Sequence, residues 1–117
     1  MDDAVEAYLS DLAATEHDDP VLVEMEARAE EHGFPIIGRA TGRYVEVAAR
    51  SIGARRVMEL GSGYGYSAYW FARAVGPDGE VVCTDGDPRN ADLAEGYLRT
   101  AGVWDRVRYR VGDALTG

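Results

Sequence analysis

Apolar positions along this chain change their period once, near residue 54. Before that point the spacing is helical. Val5, Tyr8, Leu9 and Leu12 recur three or four residues apart, with Asp2 or Asp3 placed to cap them. Asp18-Asp19-Pro20 then forms a helix start, because Asp19 can cap and Pro20 suits a first helical position. Val21, Leu22, Met25 and Ala29 follow on one face. Gly33 can end this helix in a left-handed conformation, and Pro35 bars its continuation. A third helix is predicted from about Arg39 to Ile52, with Tyr44, Val47, Ala48 and Ser51 on one side. These helices read as packing elements rather than chemical ones.

After Arg55 the elements alternate. Val57–Leu60 is a short apolar run, followed by the glycine-rich Gly61-Ser62-Gly63-Tyr64-Gly65. Ser67 to Val75 is helical, and Gly76-Pro77-Asp78-Gly79 turns the chain. Glu80 to Thr84 is a second strand ending at Asp85, and Asp87-Pro88 starts a helix that carries Leu93, Ala94, Tyr97 and Leu98 towards Gly102. Arg106 to Val111 alternates basic and apolar residues, as a third strand does. The reading is an α/β chain: N-terminal helices, then a three-stranded parallel sheet in a β-α-β-α-β run with right-handed crossovers. Residues 1–53 form a helical segment and 54–117 a sheet segment of one domain. Strand order 3-2-1 leaves strand 55–60 at an open edge, and an apolar open edge invites pairing with a second chain.

Composition narrows the classes. The chain has 117 residues, 46% of them hydrophobic, which excludes an acidic disordered tail. No apolar run approaches the roughly 20 residues of a membrane span. The single cysteine, Cys83, has nothing in the chain to pair with. With no basic, apolar leader at the start, the sequence reads as cytoplasmic. The formal charge of −9 argues against a nucleic-acid partner. Residues 1–34 hold eleven acids and one base, whereas 35–117 hold ten acids and eleven bases, so the acidity belongs to the helical leader. All twelve basic residues are arginine. A GC-rich genome and a salt-adapted, halophilic cytoplasm both account for that. His17 and His32 have no second ligand at metal spacing, and Arg106, Arg108 and Arg110 read as a solvated strand face. Tyr66, Tyr69, Trp70 and Phe71 read as core, with Tyr66 also placed to cover a ligand.

The glycine-rich turn carries the chemistry. Glycines let backbone turn sharply and approach a ligand, and the following helix start offers unpaired N–H groups. A dinucleotide fingerprint needs its third glycine three residues after the second. Here Gly65 follows Gly63 by two, and Tyr66 stands in the expected place, against an NAD or FAD site. No Gly-Lys-Ser/Thr follows, so it is not a phosphate loop. Glu59 sits in an apolar strand just before the glycines: an edge carboxylate facing solvent, or one facing a cationic ligand or holding the loop. Asp85 ends the second strand, 85 − 61 = 24 residues past the first glycine, where a carboxylate accepts from two ribose hydroxyls. The other reading of Asp85 is a turn-former before Gly86. Asp113 with the Ala114 N–H, after the third strand, can frame an adenine.

Met58 through Ser67 resembles the first motif of class I S-adenosylmethionine-dependent methyltransferases, and its Gly65-Tyr66-Ser67 ending resembles the catechol and caffeoyl-CoA O-methyltransferases. The likeness runs from Pro35-Ile36-Ile37-Gly38 and Gly42 through Asp85, Asp87-Pro88 and Ala101-Gly102 to Gly112-Asp113-Ala114. It implies a Rossmann-like methyltransferase half-domain and S-adenosylmethionine as cofactor. It also implies roles. Ile37 contacts the cofactor, Glu59 lies near its methionine end, and the backbone of Gly61, Ser62 and Gly63 lines it. Ser67 takes the methionyl carboxylate, Asp85 the ribose, and Asp113 with Ala114 the adenine. The family's divalent cation (magnesium) and catechol-like acceptor belong to a following half that lies beyond Gly117. No catalytic base or metal ligand is therefore assigned, and turnover by this chain alone is not expected. Two other readings stand beside this one: a non-catalytic binding or assembly module, and an NAD-dependent oxidoreductase half-domain.

Overall fold

The computed structural model describes residues 19–112. The helix expected around Val5 to Leu12, His17, Asp113 and Ala114 lie outside the described residues. The elements run α1 (Pro20–His32), α2 (Gly38–Ser51), β1 (Arg56–Leu60), α3 (Tyr66–Val75), β2 (Glu80–Asp85), α4 (Pro88–Thr100), a 3-10 turn (Trp104–Arg106) and β3 (Val107–Val111). No helix among the described residues is long and apolar enough to cross a membrane.

The local signals act as expected. The Asp19 carboxylate accepts from the Val21 N–H at 2.9 Å, and Gly33 closes α1 at φ 64°. Asp87 caps α4 in the same way, accepting from the Arg89 N–H at 2.9 Å. The three strands are parallel, in the order β1-β2-β3, so β1 is an edge. Arg106 is an exception to the strand reading. It lies in the 3-10 turn rather than on the β3 face, and its guanidinium donates to the Ala72 carbonyl at 3.0 Å. Arg108 is exposed and paired with Glu80.

Register assigns the two faces of the sheet. Val57, Val81 and Val107 align, as do Glu59, Cys83 and Tyr109, and both rows face the helices and the core. Met58 and Leu60 point the other way and are 65% and 64% exposed. Leu22 and Met25 from α1, Trp70 from α3 and Leu98 from α4 are fully buried in the core. The Tyr64 hydroxyl donates to the Met25 carbonyl at 2.9 Å, tying α1 to the glycine-rich turn.

The side of α2 carrying Tyr44, Val47, Ala48 and Ser51 is exposed, which overturns its reading as a packing face. Gly42, Glu46 and Ala49 are the buried residues. The reason is a charge cluster and a steric fit. Glu46 is fully buried, with Arg43 at 3.0 Å, Arg50 at 3.1 Å and Arg73 of α3 at 3.3 Å. A buried carboxylate is tolerated only when paired in this way. Gly42 lets the helices close up, since a Cβ there would stand 2.1 Å from Trp70 Nε1.

Gly42→Ala is therefore expected to lower unfolding stability by about 1–3 kcal/mol through overpacking against Trp70. Gly96→Ala, in the middle of α4 with open space around it, is expected to raise stability by about 0.4–1 kcal/mol. Urea titration of the two variants checks the opposite signs.

Candidate functional site

The turn between β1 and α3 leaves the sheet at the carboxyl ends of the strands, where ligands of open α/β sheets bind. Gly61, Gly63 and Gly65 all have positive φ, at 66°, 56° and 100°. That is a conformation only glycine takes without strain. Gly61 has open space where a Cβ would be, whereas a Cβ on Gly63 would meet the Phe34 ring at 2.6 Å. The backbone at Gly61 thus faces outward, and Gly63 is closed over by aromatic packing.

Ser62 secures the turn. Its N–H donates to the Thr84 carbonyl at 2.7 Å, and its hydroxyl accepts from the Thr84 N–H at 3.1 Å while donating to the Glu59 carbonyl at 3.3 Å. Asp85 holds the next residue. One carboxylate oxygen accepts from the Gly63 N–H at 2.9 Å, and the other accepts from the Asp87 N–H at 2.9 Å and the Asn90 amide at 3.3 Å. A carboxylate has about four acceptor positions, so these donors leave about one for a ligand. Of the two readings of Asp85, these bonds show the turn-forming one. Tyr109 closes the back by donating to the Gly63 carbonyl, and burial raises its phenol above the ordinary range.

In front of the turn lies a cleft of about 300 Å³. Phe34, Ile37, Gly61, Ser62, Tyr66 and Ser67 are among the residues that line it. Ile37 is 40% exposed there. Ser67 sits in the first turn of α3, whose N–H groups are not all bonded within the helix. Tyr66 is buried in the core, as expected, and also lines the cleft. Its hydroxyl donates to Glu26 at 2.8 Å, and Glu26 is in turn gripped by Arg39 at 2.8 Å.

Glu59 does not face solvent. It lies on the helix-covered side of β1, and its Oε1 atom is buried without a hydrogen-bond partner. Burial pushes its pKa up, offset in part by the nearby Ser62 and Ser67 hydroxyls. Its neighbour across the strand, Cys83, has a thiol pushed up to about 12 by burial and by the Glu59 charge, which makes it inert. The structure thus brings Ile37, Gly61, Ser62 and Ser67 to one cleft, with Glu59 beneath it and Gly63 and Asp85 behind the turn. Sequence reasoning missed Phe34 and Asn90. Phe34 sits in a linker with no periodicity to mark it, and Asn90 is one polar residue among several in the first turn of α4. No group of three or more His, Cys, Asp and Glu residues converges as a metal cage among the described residues.

Comparison with known proteins bears on this site. A family model described as O-methyltransferase matches residues 11–117. A catechol O-methyltransferase of Mycobacterium tuberculosis is 40% identical over 100 residues, which span 84% of this chain and 46% of that protein. A methyltransferase of Geobacter sulfurreducens superposes with a TM-score of 0.84 at 38% identity, covering 99% of this chain and 60% of that one. The O-methyltransferase TomG of Streptomyces achromogenes, solved in complex with SAM, gives 0.83 at 33% identity, covering 97% of this chain and 51% of its own. The chain spans about half the length of the curated relatives it matches.

Glu59 sets a pH signature. A carboxyl whose folded pKa lies above its unfolded value contributes stability while protonated, and that contribution is lost as pH rises through the folded pKa. Glu59→Gln is therefore expected to raise the urea midpoint at pH 7. The gain should fade below about pH 4, near the ordinary glutamate value, where both side chains are neutral. Parallel denaturation series at the two pH values check this.

Proposed function

The chain belongs to the O-methyltransferase family, and we propose that it supplies the cofactor-binding half of an S-adenosylmethionine-dependent O-methyltransferase. The observation that carries this reading is the buried, unpartnered Glu59 oxygen beneath a cleft floored by open glycine backbone. Such an atom is costly unless a donor or cation meets it. The ammonium and sulfonium of S-adenosylmethionine are groups of that kind, so the residues present fit the cofactor.

When bound, S-adenosylmethionine supplies an electrophilic methyl group for transfer to an oxygen of a small, catechol-like acceptor. The chain's own residues bind and aim it. Glu59 faces the charged methionine end. The Ser67 hydroxyl, with the N–H groups of the α3 start, takes the carboxylate. Backbone at Gly61 and Ser62 forms the floor, Gly63 holds the turn from behind, and Ile37 and Tyr66 exclude water from above. Asp85 accepts from a ribose hydroxyl with its remaining lone pair, and a second such bond requires Asn90 to yield its place. Asp113 and Ala114 are assigned to the adenine. No general base is assigned among these residues, and a divalent cation enters only with the acceptor-binding half. The acidic composition and the unpaired cysteine support a cytoplasmic location and weigh against a nucleic-acid partner.

Calorimetry of the chain with S-adenosylhomocysteine and with NAD tests this reading. The expected result is binding of the first only, weakened about ten- to a hundredfold by Asp85→Asn, as for loss of a charged hydrogen bond. Binding of NAD without S-adenosylhomocysteine overturns it.

A second reading rests on the exposed Met58 and Leu60 beside the open β1 edge. There the chain acts as a binding or assembly module, with a second copy covering that edge. Light scattering is expected to show a mass that rises with concentration. A monomer mass throughout counts against it.

A further inference from the structure

We propose that Glu26 of α1 is a positioning residue for the cleft, whose carboxylate ties the two cleft walls together and sets how fast a bound ligand leaves. One wall is the strap 34–37 between α1 and α2, and the other is the start of α3. The role in ligand release rests on the cofactor-binding reading above, and the tie itself on geometry. Helical period puts Glu26 at the margin of the buried side of α1. Leu22, Met25 and Ala29 turn inwards, and Glu26, next to Met25, is half-buried. From there it meets both walls. Its Oε2 accepts from the Tyr66 hydroxyl at 2.8 Å and from Arg39 Nε at 2.8 Å, and its Oε1 accepts from Arg39 Nη2 at 2.9 Å. Two parallel N–H···O bonds fix the orientation of an arginine–carboxylate pair as a single contact does not. Tyr66 lines the cleft from the first position of α3, beside Ser67. Arg39 lies in the first turn of α2, two residues past Ile37. Burial and the Glu26 carboxylate push the Tyr66 phenol above its ordinary range, so it stays a donor.

The strap needs such a tie. Gly33 and Gly38 bracket it at φ 64° and 79°, each with open space where a Cβ would stand. A backbone can pivot at such positions. The front of the strap is fixed: the Phe34 N–H donates to the Ala29 carbonyl at 2.9 Å, and the Phe34 ring packs on Tyr64 with centroids 4.9 Å apart. Its far end carries the exposed Ile37 over the cleft and runs directly into Arg39. The Glu26–Arg39 pair therefore holds that end, and the Tyr66 bond holds the same carboxylate to the opposite wall. The two side chains of the pair are 22% and 27% exposed, so water competes for them when the strap moves. An ion pair in that setting slows opening without forbidding it.

Surface plasmon resonance with S-adenosylhomocysteine over the immobilised chain tests this, with thermolysin cleavage of the Ile36–Ile37 bond in the ligand-free chain as a second readout. Glu26→Gln and Arg39→Gln are each expected to speed dissociation about fivefold, the size of a partly screened ion pair, with the association rate little changed. Combined, they should do no more than either alone, because they break one tie. Both should also speed cleavage at Ile36–Ile37. Arg99→Gln, which breaks the exposed pair with Glu95 on α4, should change neither readout. Unchanged dissociation and cleavage in both variants, with only a lowered urea midpoint, would mean a merely structural pair and overturns the proposal. Additive effects in the double variant overturn it too. Failure of the unmodified chain to bind S-adenosylhomocysteine overturns instead the cofactor reading and the role in release, and cleavage alone then decides the tie.

Discussion

The glycine-rich turn is clamped to the end of β2, and the site depends on that clamp. Ser62 bonds Thr84 through both its main chain and its hydroxyl, and Gly63 donates to the Asp85 side chain. Without these bonds, a turn with positive-φ glycines at three alternate positions would be entropically expensive and mobile. With them, the Gly61 backbone is presented to the cleft and the α3 helix starts in a defined direction. The same acid joins two elements. Asp85 holds the loop through the Gly63 N–H and the start of α4 through the Asp87 N–H and the Asn90 amide.

Glu46 and the half-buried Glu59 show two different solutions to one electrostatic problem. Glu46 is fully enclosed and surrounded by three guanidinia, so its charge is compensated within the fold. It serves the packing of α2 on α3. Glu59 lies under the cleft with one oxygen left without a partner, and its pKa is raised accordingly. A carboxylate left uncompensated beneath a cleft carries a cost that falls on stability. The contrast separates a charge compensated within the fold from one that is not.

Much of the architecture was legible in the chain itself. The caps at Asp19 and Asp87, the stop at Gly33 and the β-α-β-α-β alternation are local signals set by φ, ψ and period. Parallel pairing and β1 at the edge follow from connection rules that need no atomic detail. Reading failed at α2, where Tyr44, Val47, Ala48 and Ser51 looked like a packing side yet are exposed. Helical period marks which residues share a face, but not which face turns inward when a glutamate can be neutralised by arginines from two helices. Arg106 was misplaced for a related reason, since alternation continues into a 3-10 turn whose geometry depends on the Ala72 carbonyl opposite.

The sequence alone determined the fold class, the place of the glycine-rich turn, and the identity of the acids near it, because backbone preference and glycine chemistry act over a few residues. Tertiary structure alone decided what each acid can do. It took the register of β1 against β2 to turn Glu59 towards the helices and leave an oxygen unmatched, and the approach of Asn90 and Gly63 to fill most of the acceptor positions of Asp85. Hydrogen-bond satisfaction and burial are sums over neighbours distant in the chain, and no local pattern encodes such a sum.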